Sequence, residues 1–212
     1  MSTHHASPLL SVRNLRVALQ TSHGQLEALR GVDFEMQRGE TLGLIGESGC
    51  GKSLTTLAIM GLLPDRATVS GSIALHGTEL TQMSEDTLCT LRGARMAMIF
   101  QEPMTALNPL HPIWKQIAEP LQLHQGMDLV SAKARALELL DRVQLPRARE
   151  RLNNYPHQLS GGQRQRVMIS MALACQPDLL IADEPTTALD VTVQKEVLNL
   201  IRQLVAEDGM GL

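Results

Sequence analysis

Residues 46–53 read GESGCGKS and constrain this chain more than any other stretch in it. Their spacing is G-x-x-x-x-G-K-[ST], set between a short apolar run at 41–45 (TLGLI) and an apolar-rich stretch at 54–63. That order predicts strand, glycine turn and helix, with Pro64 closing the helix. Glycines at 46, 49 and 51 let the backbone curl so that successive N–H groups converge on one point. The helix beginning near Lys52 adds the positive end of its dipole. Such a concavity suits phosphate oxygens. Lys52 would reach the β- and γ-phosphates of a nucleotide, and the Ser53 hydroxyl would ligate Mg²⁺. Glu47, Ser48, Cys50 and Leu54 complete the binding segment, with Cys50 expected to be a small buried residue.

Composition narrows the rest. With 43% hydrophobic residues and 19% charged, the chain can bury a core and is neither disordered nor a coiled coil. Nineteen basic residues against 22 acidic ones argue against nucleic acid as a partner. The four aromatics, Phe34, Phe100, Trp114 and Tyr155, make no stacking platform for single strands. Three scattered cysteines suggest free thiols in a reducing compartment, and MSTHHASPLL is unlike a secretory signal. No run of 18 apolar residues occurs, so any membrane role is expected to come through a partner.

Residues 9–19 and 26–36 alternate apolar and polar positions around a turn at 22–24, which reads as an antiparallel pair. Further strands are expected at 72–76, 96–100 and 179–183. Between them, residues 113–159 are helical and loop-rich. Ala136, Leu140 and Val143 lie at helical spacing in a segment at 131–145 that Pro146 ends. Val193, Val197, Leu200, Ile201 and Leu204 share one face of a later helix. The pattern is an α/β core interrupted by a helical insertion.

Two further motifs carry chemistry. Residues 179–184, LLIADE, end a buried strand on two carboxylates. Asp183 is placed to hold Mg²⁺, and Glu184 to orient and deprotonate an attacking water. An acidic strand end in solvent is the plainer alternative. Residues 159–163, LSGGQ, put a serine hydroxyl and two glycine N–H groups at a helix start, which makes either a second phosphate cradle or a ligand-free cap. Arg164 and Arg166 read as a solvated face.

Together these motifs resemble the ABC (ATP-binding-cassette) ATPases, in which LSGGQ is the signature motif. The resemblance implies an α/β fold: a P-loop NTPase core of the ABC type, an antiparallel β-subdomain, and an inserted α-helical subdomain at about 105–175. It implies that Gln101, in IFQEP, senses Mg²⁺ and the attacking water, and that Asp190, in TALD, contacts an opposite monomer. Two such domains then pair head to tail, with ATP on one loop covered by Ser160, Gly161, Gly162 and Gln163 of the other. The stretches at 101–109, 155–169 and 183–194 resemble the peptide/nickel branch of importers, and most closely the first cassette of a tandem-cassette oligopeptide importer. This implies permease subunits, an indirect link to a substrate-binding protein, and a peripheral place on the cytoplasmic face of the inner membrane. A soluble non-transport ABC ATPase, or a nucleotide-binding fragment without turnover, are the alternatives.

Two departures from the family stand out. No Phe, Tyr or Trp occurs at 12–30, where relatives stack adenine; Leu19 or its neighbours take that place, and His23 is the one ring available. The family's switch histidine would follow Gly209–Leu212, so the chain is expected to be a single nucleotide-binding domain, 1–212, truncated at its C-terminus.

Overall fold

The computed structural model describes residues 7–22, 24–102, 106–187 and 189–212. The expectations that rest on His23 and on residues 103–105 and 188 lie outside them. The chain forms two compact units, one of residues 1–89 with Gly209–Leu212, the other Thr90–Asp208.

The first unit is built on an antiparallel sheet. Strand β1 (Leu10–Thr21) pairs with β2 (Gly24–Met36) on one side and β3 (Ala67–Leu75) on the other, and β4 (Thr78–Glu79) completes the order β2-β1-β3-β4. Alternation along β1 buries Leu10, Val12, Leu15 and Val17, against Leu29, Ile73 and Leu75 of the same core. Ladder registers shift near Arg13–Arg16, and Gly71 of β3 explains why. Its φ is +95°, and a Cβ there would lie 2.4 Å from the Asn14 carbonyl. Only glycine allows that approach.

Helix α1 (Lys52–Met60) follows the glycine loop. It ends at Gly61, not at Pro64: Gly61 is left-handed, and N–H groups of Gly61 and Leu62 return to the Ala58 and Leu57 carbonyls (3.1 and 2.8 Å). A C-terminal glycine stops a helix before a downstream proline needs to.

Residues 41–45 do not form the strand expected of them. Leu212 donates to the Glu40 carbonyl (2.9 Å) and accepts from Leu42 (2.8 Å), bracketing Thr41, but no ladder continues from there. Ile45 is 99% exposed. An apolar run marks a segment suited to burial, whereas a strand also needs a neighbour along its length.

After α2 (Glu85–Leu91), the second unit holds a parallel pair, β5 (Met96–Ile99) beside β6 (Leu179–Ala182), in register from Met96–Leu179 to Ile99–Ala182. All of β5 is buried, as expected for a parallel strand covered on both faces. Between these strands run α3 (Ile113–Gln125), α4 (Leu129–Arg142), α5 (Ala148–Arg151), a 3₁₀ turn (Pro156–Gln158) and α6 (Gly161–Ala172). Helix α7 (Val191–Asp208) follows β6.

Ile113, Ile117 and Leu121 of α3 and Ala132, Ala136, Leu139 and Leu140 of α4 are buried where the two helices pack, at i, i+3 and i, i+4 spacing. Asp128 caps α4 by accepting from Val130 and Ser131 (2.9 and 3.1 Å). Buried Gln116 fastens the preceding loop, bonding Asn108 through both amide atoms (2.8 and 3.0 Å) and donating to the His111 carbonyl (2.8 Å). Among the described residues no helix is long and apolar enough to cross a membrane.

Candidate functional site

The glycine loop lies in the first unit. Gly51 caps α1 in the left-handed region (φ 100°, ψ 9°), and no side chain caps the helix there. A helix start of this kind, following a glycine turn, is where backbone N–H groups and the helix dipole favour an anion. Lys52 Nζ donates to the Gly46 and Glu47 carbonyls (2.9 and 3.0 Å), so its ammonium lies across the loop. The Cys50 N–H reaches the Glu47 carbonyl at 3.3 Å.

A Cβ on Gly46 would meet Cys50 Sγ at 2.4 Å, and one on Gly51 would meet Leu29 Cδ2 at the same distance. The loop is thus packed against β2 through a glycine that cannot be enlarged. Gly49, at φ +80°, has open space around it. Glu47, Ser48 and Ser53 are exposed, and Leu54 is half-buried. Cys50 is exposed, not buried as expected: it sits on the glycine turn itself, with its sulfur close to Gly46.

The carboxylates lie in the second unit. Asp183 N–H donates to the Ile99 carbonyl (3.0 Å), extending the β5–β6 ladder by one residue. Glu184 then turns the chain, with φ +45°, a left-handed conformation rare for a non-glycine residue. Its Oε2 accepts from Gln101 Nε2 (3.2 Å) and from Thr187 Oγ1 (3.1 Å). Gln101 and Glu184, 83 positions apart in sequence, are brought together because β5 and β6 are parallel neighbours with aligned C-terminal ends. Gln194 Nε2 donates to the Thr186 and Leu189 carbonyls (both 3.0 Å) and fastens the following turn to α7.

The signature residues open α6. Ser160 Oγ accepts from Gln163 N–H (3.4 Å), and Gln163 Oε1 accepts from Ser160 N–H (3.1 Å), a reciprocal capping box. Gly161 and Gly162 pack near the next motif: added Cβ atoms would lie 3.5 Å from Leu189 and 2.9 Å from Val193. Asp190 caps α7 through Val193 N–H (3.0 Å). Both motifs therefore hold their own helix starts and lie side by side.

Arg164 and Arg166 are not a solvated face. Arg164 Nε donates to the Pro156 carbonyl and Arg166 to the Val143 carbonyl, both at 2.7 Å. Carbonyls left over at the ends of neighbouring elements draw in guanidinium groups, a requirement invisible to helical periodicity. Thr187 is marked in the sequence only as the first residue of TALD, and Gln194 carries no signal as a site residue beyond its closeness to Asp190.

A family model described as ABC transporter matches residues 29–187, and the chain belongs to that family. Its fold is that of the ABC ATPase cassette, mixed α/β with an antiparallel sheet and a helical portion. The dimeric post-hydrolysis structure of the ATP-binding cassette MJ0796 bound to ADP and Pi superposes with a TM-score of 0.84 at 30% identity, covering 95% of this chain and 85% of that one. Among curated relatives, the probable peptide ABC transporter ATP-binding protein y4tR of Sinorhizobium fredii is 50% identical over 99% of this chain and 63% of its own length. The oligopeptide transport ATP-binding protein OppD of Salmonella typhimurium is 49% identical over 95% of this chain and 60% of its own. The chain thus spans about three fifths of the length of these relatives.

Proposed function

We propose that this chain is the ATP-binding and ATP-hydrolysing part of a bacterial ABC importer for peptides. Identity near 50% to peptide-import ATP-binding proteins along nearly the whole chain carries this reading. The uncapped glycine loop and the Gln101–Glu184 pair support it chemically.

In this reading residues 46–54 receive the ATP phosphates, with the Lys52 ammonium leaving the loop carbonyls for the β- and γ-oxygens. Mg²⁺, when bound, neutralises charge on those oxygens. Ser53, Gln101 and Asp183 are the oxygen donors suited to it, and hard oxygen ligands shared with phosphate are what that ion prefers. Glu184 orients the attacking water and takes its proton. Ser160, Gly161, Gly162 and Gln163 cover the ATP of a second cassette, and Asp190 contacts that cassette across the dimer. In the cassette MJ0796 a dimer has been solved, which supports pairing as the working state. Permease subunits would receive the closing motion and hold the protein at the cytoplasmic face of the membrane. A substrate-binding protein would deliver the peptide to them.

Leu19, half-buried opposite Leu26 and Ala67, or its neighbours would take the place of the aromatic that the family resemblance expects, so that adenine is held by aliphatic packing and ATP is only weakly preferred over GTP.

The test is Glu184→Gln. It keeps shape and the hydrogen bonds at Oε2 but removes the base. The variant binds ATP as the parent does, loses turnover by at least about a hundredfold, and accumulates as an ATP-bound dimer. Turnover at the parental rate would overturn the assignment of Glu184.

A further inference from the structure

We propose that Thr187 is a positioning residue for Glu184: it holds carboxylate oxygen Oε2, so that Oε1 is the oxygen that takes the proton from water. This rests on the reading of Glu184 as the base. A carboxylate offers about four lone-pair positions, two on each oxygen. Here Oε2 takes both available donors, Gln101 Nε2 at 3.2 Å and Thr187 Oγ1 at 3.1 Å. No donor among the described residues reaches Oε1, and Glu184 is exposed. Two donors on one oxygen fix the plane of the carboxylate as well as its position, and they leave Oε1 for the water.

Thr187 can do this because its own backbone is held. Its N–H donates to the Glu184 carbonyl at 3.3 Å, and Gln194 pins the carbonyls of Thr186 and Leu189 on either side. The left-handed Glu184 backbone aims the side chain back over this turn. Thr187 Oγ1 also lies 3.0 Å from the Glu184 carbonyl. A hydroxyl has one proton, so it serves Oε2 or the carbonyl, and the carboxylate is held in the first case and released in the second. Thr187 lies three residues before Asp190, on the turn that leads into α7. Movement of that turn therefore has a direct route to the base.

Thr187→Val keeps the shape and removes the hydroxyl, whereas Thr187→Ser keeps the hydroxyl and removes the methyl. Steady-state turnover and nucleotide titration on the assembled protein separate the outcomes. Thr187→Val lowers kcat about tenfold with KM and ATP affinity unchanged within about twofold, because water placement suffers and phosphate binding does not. Thr187→Ser stays within about threefold of the parent. Carbon-13 NMR of carboxyl-labelled glutamate gives a readout free of turnover. The resonance lost in Glu184→Gln shifts in Thr187→Val and returns in Thr187→Ser. Parental kcat in Thr187→Val, an equal loss in both variants, or an unmoved resonance would overturn the role of Thr187 while Glu184→Gln remains inactive. Turnover by Glu184→Gln would overturn the base assignment first, and this proposal with it.

Discussion

Gly51→Ala tests how the phosphate loop is seated on the antiparallel sheet. The residue has φ 100°, so alanine there is strained by about 1–3 kcal/mol. Its methyl would also lie 2.4 Å from Leu29 Cδ2, and Leu29 is 4% exposed, so the leucine must leave its rotamer or push into the core. Overpacking of that kind costs about 1–3 kcal/mol. The two effects arise at different atoms and together give about 2–6 kcal/mol, a large share of the roughly 5–15 kcal/mol that holds a domain together. Urea unfolding without nucleotide, followed by circular dichroism, reads the difference as a midpoint lowered by about 1–3 M at an m-value of about 2 kcal/mol/M. Leu29→Val in the same background relieves the contact but not the dihedral strain, so the double variant should recover about 1 kcal/mol or more relative to additivity. A midpoint within about 0.3 M of the parent would refute the close packing of Gly51 on Leu29.

Two other predictions concern stability. Glu79 accepts from the Ser72 hydroxyl, from Thr81 Oγ1 (2.7 Å) and N–H (3.1 Å), and from Ile73 N–H (3.0 Å). Burial opposes its ionisation, but these donors outweigh it and lower its pKa from 4.5 to about 2. Because the folded value is the depressed one, its contribution is complete above the unfolded value and drains away as pH falls from about 4.5 toward 2. Glu79→Gln should flatten the pH dependence of Tm in that window, and an unchanged slope would contradict it. Arg142 donates to Asp208 (2.7 Å) and Glu207 (3.4 Å), joining the end of α4 to the end of α7, and the Asp208 pairing raises its pKa. Arg142→Met leaves the Asp208 carboxylate without that partner and costs about 1–3 kcal/mol, read from thermal unfolding. A loss below about 0.5 kcal/mol would place the pair among surface bridges of little weight.

Local rules were legible in the sequence where one segment could satisfy them alone. The antiparallel β1–β2 pair follows from alternation, α1 from the glycine loop that precedes it, and the start of α6 from the serine before two glycines. What required partners was not legible. Residues 41–45 carry the composition of a strand, but pairing depends on a neighbour that composition does not name. Gly61 stops α1 because its carbonyl-satisfying turn forms before Pro64 is reached. The turn that brings Thr187 onto Glu184 comes from backbone geometry, since a positive φ at a glutamate has no sequence signal. Arg164 and Arg166 turn inward to carbonyls 8 and 23 residues away, a reach that a face-by-face reading of α6 misses. The loop residues could be read directly because the motif is continuous, whereas the Gln101–Glu184 pair depends on two strands lying side by side.

The most direct measurement is titration of the chain with Mg·ATP, by fluorescence of a labelled nucleotide displaced by unlabelled ATP, alongside Lys52→Ala. The Lys52 ammonium lies over the Gly46 and Glu47 carbonyls, on the loop proposed to receive the phosphates. Saturable binding by the parent, weakened at least about tenfold in Lys52→Ala, is the predicted result. Equal affinity in the two proteins, or no binding by the parent, would contradict the placement of the nucleotide on residues 46–54.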